Sequence, residues 1–200
     1  MNMFRALIAP LALIVLSLPA VAREIPLDEL SAYLNGIVTA EAPFVQVNGD
    51  GSKAKGMIFI KRPGRVRFEY SKPDKSLVLA SAGTVAIFDA KSNQPPTQYP
   101  LARTPLNLIL AQRVDLAAAK MVVGHSEVGK TTRVRAQDPK HPDYGTIELV
   151  FTDNPVALSQ WIITDDLGNQ TSLTLGDMTV GNTYQPSMFS IDIENKKRGF

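Results

Sequence analysis

The sequence of this 200-residue chain predicts a mainly β fold: one antiparallel sheet with two or three short helices packed on one face. Short alternating segments separated by Gly, Pro, Asn and Asp turns make up most of the chain after residue 43. An amphipathic helix precedes these segments, and a short helix that is apolar on nearly every side interrupts them. Both helices need an apolar surface to lie against, and a curved sheet would enclose space beneath them.

The first 22 residues have the composition of a secretory signal peptide. Residues 1–5 form a short basic segment, residues 6–18 form an apolar segment, and Ala20-Val21-Ala22 is a small-x-small cleavage pattern. The apolar run is too short to span a bilayer comfortably. We expect cleavage after Ala22, export to the periplasm and one mature domain at residues 23–200. A retained membrane anchor is the alternative.

The composition excludes several kinds of chemistry. The chain has no cysteine, which removes disulfides, thiol catalysis, Cys-type zinc sites and a lipid-modified cysteine. Signal cleavage removes Arg5 from the 21 basic residues, so that 20 remain against 19 acidic residues. This nearly balanced charge argues against nucleic acid or an acidic membrane as the main partner.

The first predicted helix follows Pro26, because Asp28 and Glu29 suit its first turn and Leu30 and Leu34 lie on its apolar side. Alternation then predicts strands at residues 44–47, 56–61, 65–70, 76–80 and 84–89. The Pro- and Gln-rich residues 91–100 are predicted to form a loop.

A second helix is predicted at residues 106–111, with Thr104 as its N-cap and Pro105 at its first position. Further strands are predicted at residues 121–123, 132–136, 146–151, 158–164, 170–178 and 188–193. Residues 165–169 are predicted to form a hairpin loop. Trp161 is interpreted as a packing residue, and the basic residues 196–198 are interpreted as a solvated tail.

Residues 124–131, GHSEVGKT, match the phosphate-loop pattern G-x-x-x-x-G-K-[ST]. That mechanism requires a helix beginning at Lys130, so that its first amides hold the phosphates. The alternating, β-branched residues that follow predict a strand instead. We therefore expect a hairpin turn here and no nucleotide site.

The two histidines supply too few ligands for a metal site. His125 and His141 each stand two residues before a carboxylate, and two ligands in one turn rarely hold a metal. We interpret both as surface residues. Ser126 lacks the strand-turn-helix setting of a nucleophile. No catalytic residue, metal or cofactor is predicted, and the protein is not expected to be an enzyme.

An arginine stands at the end of an apolar strand face in residues 56–73. The residues that share this face are Ile58, Ile60 and Arg62 on one strand and Val66, Phe68 and Tyr70 on the next. Arg62 fits two interpretations on spacing alone: a side chain that keeps its charged head in water, or a polar latch on the wall of an apolar cavity.

This sequence resembles the periplasmic outer-membrane lipoprotein carrier (LolA) family. The resemblance lies in residues 56–70, GMIFIKRPGRVRFEY, with Pro73 after them, in residues 77–89, and in residues 104–110. It implies an incomplete β-barrel covered by a helical lid that encloses an apolar cavity for acyl chains. It also implies that Arg62 is the lid latch and holds the empty carrier closed. Ala86 and Val66 stand where aromatic residues are usual in the family.

The resemblance also implies which residues surround the cargo. The expected cavity wall is Ile58, Ile60, Val66, Phe68, Tyr70, Leu30 and Leu34, and the expected lid helix carries Leu106, Leu108 and Ile109. The implied partners are acylated lipoproteins, an inner-membrane ABC-type exporter and an outer-membrane acceptor, served by a monomeric shuttle. The alternative is a periplasmic regulatory sensor with the same half-barrel that binds lipids or lipoproteins as a signal.

Overall fold

The computed structural model describes residues 23–104 and 106–200, so the predicted signal peptide and Pro105 lie outside the described part. The helices are Leu27–Gly36 (α1), Leu106–Leu110 (α2) and Ile191–Arg198 (α3). The first six strands are Thr39–Val47 (β1), Lys53–Lys61 (β2), Arg65–Tyr70 (β3), Leu77–Ser81 (β4), Thr84–Phe88 (β5) and Thr97–Pro100 (β6). The other six are Val122–Val128 (β7), Thr131–Gln137 (β8), Thr146–Thr152 (β9), Ala157–Thr164 (β10), Gln170–Leu175 (β11) and Thr179–Val180 (β12).

The strands form one antiparallel sheet that does not close on itself. Its order is β6-β5-β4-β3-β2-β1-β11-β10-β9-β8-β7, and β12 pairs with the start of β1. Strands β6 and β7 are therefore two unpaired edges within the described part of the chain. The result is the predicted curved, incomplete barrel.

The concave face of the sheet is apolar and is covered by α1 and α2. Side chains alternate between the two faces along β2 and β3, so one face carries Ile58, Ile60, Val66 and Phe68. These four residues form one buried cluster with the helix side chains. Phe68 packs edge-to-face on Trp161, with ring centres 6.1 Å apart. Trp161 lies within β10 and is buried, which confirms its interpretation as a packing residue.

The convex face carries a second, smaller cluster beneath α3. This cluster consists of Leu77, Leu79, Ala86 and Phe88, with Ile191 of α3 packed against it. The guanidinium of Arg198 lies 4.9 Å from the centre of the Phe88 ring, a cation–π contact. The basic residues 196–198 are therefore part of a docked helix, and their interpretation as a solvated tail is wrong for Arg198.

The predicted strand at residues 188–193 is wrong. The chain there forms the short helical turn Pro186–Phe189 and then α3, whose N-terminus is capped by Ser190. The Ser190 hydroxyl accepts a hydrogen bond from the backbone N–H of Ile193, at 3.2 Å. Alternating Met, Phe, Ser and Ile suggested a strand, but this cap begins a helix.

Several strand boundaries also differ from the prediction: β2 begins at Lys53 and β7 extends to Val128, where the predicted strands were residues 56–61 and 121–123. Residues 97–100 form the edge strand β6 and are not loop. Strand β1 begins at Thr39 and therefore includes Pro43. A proline is tolerated there because β1 changes partner from β12 to β11 at this position, where no N–H is needed for the ladder. The predicted strand 170–178 breaks at Gly176, where an added Cβ would stand 2.8 Å from Pro43 Cγ.

Residues 124–128 belong to β7, Gly129 and Lys130 form the turn, and Thr131 begins β8, so this segment is a hairpin and not the start of a helix, as predicted. Gly129 in its turn has a φ of 64°, a conformation that favours glycine. His125 is not the surface residue that was predicted. Its ring contacts the Ile25 carbonyl at 2.9 Å and the Glu24 carboxylate at 3.2 Å, so it fixes the start of the domain. His141 is exposed, as predicted, and stacks on Tyr144.

Candidate functional site

The residues predicted from the resemblance come together on the concave face. The predicted cavity residues Leu30, Leu34, Ile58, Ile60, Val66 and Phe68 are buried, and so are Leu108 and Ile109 of the lid helix. Tyr70 and Leu106 are partly buried and pack against the same cluster. The side chains of α1, α2, β2 and β3 therefore form one continuous apolar contact.

Arg62 is buried at the end of β2 and reaches the C-terminal ends of both covering helices. Its side chain is 9% exposed. Nε and Nη2 donate to the carbonyl of Ala111, at 3.0 and 2.6 Å. Nη1 donates to the carbonyls of Leu34 and Ile37, the second at 3.4 Å. A planar guanidinium has five donors, and carbonyls at helix C-termini lack helical partners, so the two sets complement each other.

The backbone N–H groups of Arg62 and Gly64 also contact the chain at the ends of α1 and α2. The Arg62 N–H donates to the carbonyl of Val38 and the Gly64 N–H donates to the carbonyl of Leu110, each at 2.8 Å. Gly64 has a φ of 70°, which the tight turn between β2 and β3 requires. The hairpin turn therefore positions the arginine and also contacts the end of α2.

Burial lowers the pKa of Arg62, because the charged form is removed from water. Within residues 23–104 and 106–200, no carboxylate forms an ion pair with this guanidinium. Its charge is balanced by carbonyl dipoles at the ends of two helices. The Arg62 head group therefore contacts the ends of two helices and does not extend into water.

Two polar residues of α1 hold the chain that follows α2, and the sequence analysis missed both. The Asn35 side chain donates to the Val114 carbonyl at 2.7 Å and accepts from the Val114 N–H at 2.9 Å. Asn35 also accepts from Arg62 Nη2 at 3.2 Å. One turn earlier, the Ser31 hydroxyl accepts from the Leu116 N–H at 2.9 Å. The signal was present as two polar residues spaced i, i+4 beside the apolar stripe of α1.

Tyr70 lies at the other end of the apolar strand face from Arg62. Its ring packs edge-to-face on Phe44, with centres 5.2 Å apart, and its hydroxyl donates to Gln46 at 2.7 Å. Burial, with a smaller effect from the Asp74 carboxylate, raises the pKa of Tyr70 to about 12. Tyr70 is therefore a neutral hydrogen-bond donor at physiological pH.

Leu108 and Ile109 of α2 pack into the apolar cluster of the concave face, where the cavity was predicted. A pocket of about 40 Å³ lies between α2 and the β7–β9 side of the sheet, lined by Leu108, Met121 and Ile147 among others. Sites for small organic ligands are typically about 300 to 1,000 Å³. A pocket of about 40 Å³ is too small for such a ligand, so the space beneath α2 is closed in this conformation.

Ala86 does not affect the space under the lid. Its side chain belongs to the convex cluster beneath α3 and is fully buried there. Val66, in contrast, is part of the concave cluster. Of the two positions where aromatic residues are usual in the family, only Val66 therefore affects the space enclosed under the helices.

The sheet is unclosed, and its apolar concave face is covered by two helices whose C-terminal ends bind a buried arginine. These features define a half-barrel protein with a helix-covered interior. The residues that the structure describes contain no group of three or more side chains suited to hold a metal. Nor do they contain a helix with the length and hydropathy needed to cross a membrane.

The sequence matches the family model described as outer membrane lipoprotein carrier protein LolA over residues 35–192, and the chain belongs to this family. A similar protein from Chromobacterium violaceum, named outer-membrane lipoprotein carrier protein, is 27% identical over 189 residues, which is 90% of this chain and 89% of that one. A relative of the same name from Coxiella burnetii is 29% identical over 157 residues, covering 75% of this chain and 69% of that one.

Among solved structures, the chain is similar to a LolA superfamily protein from Nitrosomonas europaea. The TM-score is 0.47 and the sequence identity is 9%, over 84% of this chain and 99% of that chain.

Proposed function

We propose that this protein is a periplasmic carrier that binds the acyl chains of lipoproteins released from the inner membrane and delivers them to the outer membrane. The observation that supports the proposal is the apolar concave face, covered by α1 and α2, with Arg62 hydrogen-bonded to the ends of both helices. Membership of the carrier family supports it. The protein acts by binding and release, without catalysis.

Acyl chains need such a carrier because water opposes their transfer. Moving one sixteen-carbon chain from a bilayer into water costs on the order of 12 kcal/mol, at about 0.8 kcal/mol per buried CH₂. An apolar interior reduces this cost nearly to zero, because one hydrocarbon environment replaces another. The remaining requirement is release at the acceptor.

The buried hydrogen bonds of Arg62 provide a means of release. Cargo must separate α2 from the sheet, which breaks the bonds to the carbonyls of Ala111 and Leu34. A hydrogen bond to a charged group contributes about 1.5 to 3 kcal/mol. Reforming these bonds in the empty state offsets part of the energy of cargo binding, so that loaded protein can give up its cargo.

Asn35 and Ser31 extend the same closure to residues 114–116. Their bonds to the backbone of Val114 and Leu116 are independent of the side chains in that segment. The lid therefore consists of α2 and the chain that follows it, closed as one unit on α1. Arg62 contacts both parts through Ala111 and Asn35.

The carrier role implies two membrane partners. We propose that an inner-membrane ABC-type exporter loads the protein and that an outer-membrane acceptor unloads it. We further propose that residues 1–22 are the signal that exports the chain and that cleavage follows Ala22.

The test is native mass spectrometry of the protein purified from periplasm without detergent, after co-expression with a tagged outer-membrane lipoprotein. We expect a one-to-one adduct with the acylated lipoprotein and none with a cargo variant that lacks the acylated cysteine. Val66→Glu, on the concave face, should abolish the adduct, whereas the same change at the exposed loop residue Leu167 should retain it.

Thermal unfolding of both variants verifies that they are folded. Bound phospholipid or free fatty acid with no lipoprotein adduct would overturn the carrier proposal and favour a lipid sensor. An adduct that persists with non-acylated cargo would also overturn it, because recognition would then not depend on the acyl chains.

A further inference from the structure

A basic groove lies on the outer surface, at the end of the sheet opposite the latch. Its volume is about 520 Å³, and the charged residues that line it are Lys53, Lys55, Lys72, Lys91 and Asp74. Lys53 and Arg62 are nine residues apart along one strand, which corresponds to about 30 Å. The groove is therefore remote from the lid.

The groove concentrates positive charge in a protein that is otherwise nearly balanced. Its lining includes four lysines and one aspartate. Among residues 23–104 and 106–200, no ion pair involves any of these four lysines. Asp74 accepts a hydrogen bond from the Ser76 N–H at 2.9 Å, which commits its carboxylate to the turn between β3 and β4. The four lysines therefore line the groove without an ion-pair partner among the described residues.

Hydrogen bonds within the surrounding turns fix the walls of the groove. Asn48 donates to the Ser52 hydroxyl at 2.9 Å, and the Ser52 N–H donates to Asp50 at 2.8 Å. The Ser71 N–H donates to the carbonyl of Lys55 at 2.8 Å, which joins β3 to β2. Because the turns are fixed, the lysine backbones hold their spacing before any partner binds.

The groove continues into an apolar depression of about 490 Å³ that shares Val45 and Lys55 with it. Val45 is 48% exposed, and Pro43 and Met57 also line the depression. Both β1 and β2 are paired on each side, with β11 and β3 as outer partners, so a further strand has no free backbone here. Recognition at this surface must use side chains.

We propose that this surface docks an extended acidic segment of a partner protein that carries at least one apolar side chain. The lysines match the carboxylates of such a segment, and the depression beside Val45 accepts the apolar side chain. Ammonium groups act as point charges and tolerate variation in carboxylate geometry. A recessed groove accepts a narrow peptide, whereas a flat membrane surface contacts only its rim. Docking here leaves the lid free to open or to stay closed.

The experiment measures binding of a fluorescent peptide of about eight residues, Glu-Glu-Leu-Glu-Glu-Leu-Glu-Glu, by anisotropy. We expect binding that weakens as salt rises from about 50 to about 200 mM, because the contacts are exposed charges. The same peptide with glutamine for glutamate should not bind. Val45→Thr should weaken binding about fourfold, the equivalent of one methylene removed from contact.

The decisive comparison is between two charge reversals of equal size. The groove variant combines Lys53→Glu, Lys55→Glu, Lys72→Glu and Lys91→Glu. The control variant combines Lys120→Glu, Lys130→Glu, Lys140→Glu and Lys197→Glu, all exposed and outside the groove. We expect the groove variant to lose at least about tenfold in affinity relative to the control variant.

Equal affinity of the two variants would overturn the proposal, as would equal binding of the glutamine peptide. Binding of anionic phospholipid vesicles that depends on the groove lysines, with no peptide binding, would also overturn it in favour of a membrane surface. No lipoprotein is present in this experiment. A negative result therefore refutes the groove and leaves the carrier proposal to its own test.

Discussion

Replacement of Arg62 by leucine should open the lid without unfolding the sheet. Leucine has no donors, so the carbonyls of Ala111 and Leu34 lose their contacts with the guanidinium. At about 1.5 to 3 kcal/mol for each carbonyl, the closed state should lose about 3 to 6 kcal/mol relative to the open state. Each 1.4 kcal/mol changes an equilibrium about tenfold, so the lid-opening constant should rise by about 10² to 10⁴.

Amide hydrogen exchange measures this change directly. The N–H groups of Val114 and Leu116 are reporters, because each donates to a side chain of α1 and exchanges when the lid opens. Their protection should fall by the predicted factor in Arg62→Leu. The N–H of Val134, in the ladder between β8 and β9, should keep its protection because the sheet stays folded.

Arg113→Leu is the matched control for this experiment. Arg113 is exposed in the same lid segment, so its replacement removes a charge and leaves the buried bonds in place. Unchanged exchange of Val114 and Leu116 in Arg62→Leu would refute the latch. An equal loss of protection in Arg113→Leu would show that charge in the segment, and not the bridge to α1, controls the lid.

Four further predictions concern the rest of the structure. Asn35→Ala should increase exchange at Val114 by about tenfold or more, because two hydrogen bonds to the backbone are lost, and unchanged exchange would exclude a closing role. Phe68→Ala should lower the free energy of unfolding in urea by about 3 to 5 kcal/mol, since its buried ring leaves a cavity, and a loss below about 1 kcal/mol would mean that the interior is loosely packed. Glu194→Gln should weaken the docking of α3, because the buried Glu194 carboxylate contacts Arg67 at 3.6 Å and Arg198 at 2.9 Å. We expect increased proteolysis confined to the C-terminal segment. Cleavage elsewhere in the chain would contradict this prediction. Because the pKa of Tyr70 is raised to about 12 in the folded state, its contribution to the free energy of unfolding is present below pH 10 and is lost as the pH rises from 10 to about 12. In urea unfolding, the wild type should therefore lose about 2 to 3 kcal/mol more than Tyr70→Phe over this pH range.

The β2–β3 hairpin was predictable because its information is local. Alternation over residues 58–70 fixes which side chains share a face, and Pro63-Gly64 fixes the turn. One buried face then follows for both strands, including the position of Arg62 at its end. The identity of the acceptors did not follow from the pattern, because Ala111 is 49 residues away in the chain.

The contacts of Asn35 and the helix α3 depend on information that is not local. Asn35 binds a backbone segment 79 residues further along the chain, and no local pattern specifies that partner. Helix α3 has only eight residues, and it is stabilised by the Ser190 cap and by burial of Ile191 on a surface made by β4 and β5. A helix this short, with one docked apolar residue, shows little helical periodicity in its sequence. The alternating residues before it therefore predicted a strand.

The two unpaired edges allow the volume of the interior to change. A closed barrel has a radius set by its strand number and stagger, so it can widen only if ladder hydrogen bonds break. In this protein β6 and β7 have no mutual ladder. The sheet can therefore flatten slightly and move its edges apart while every strand pair remains intact. We therefore expect one carrier of this design to enlarge for cargoes that differ in the number or length of their hydrocarbon chains, and to contract again once it is empty.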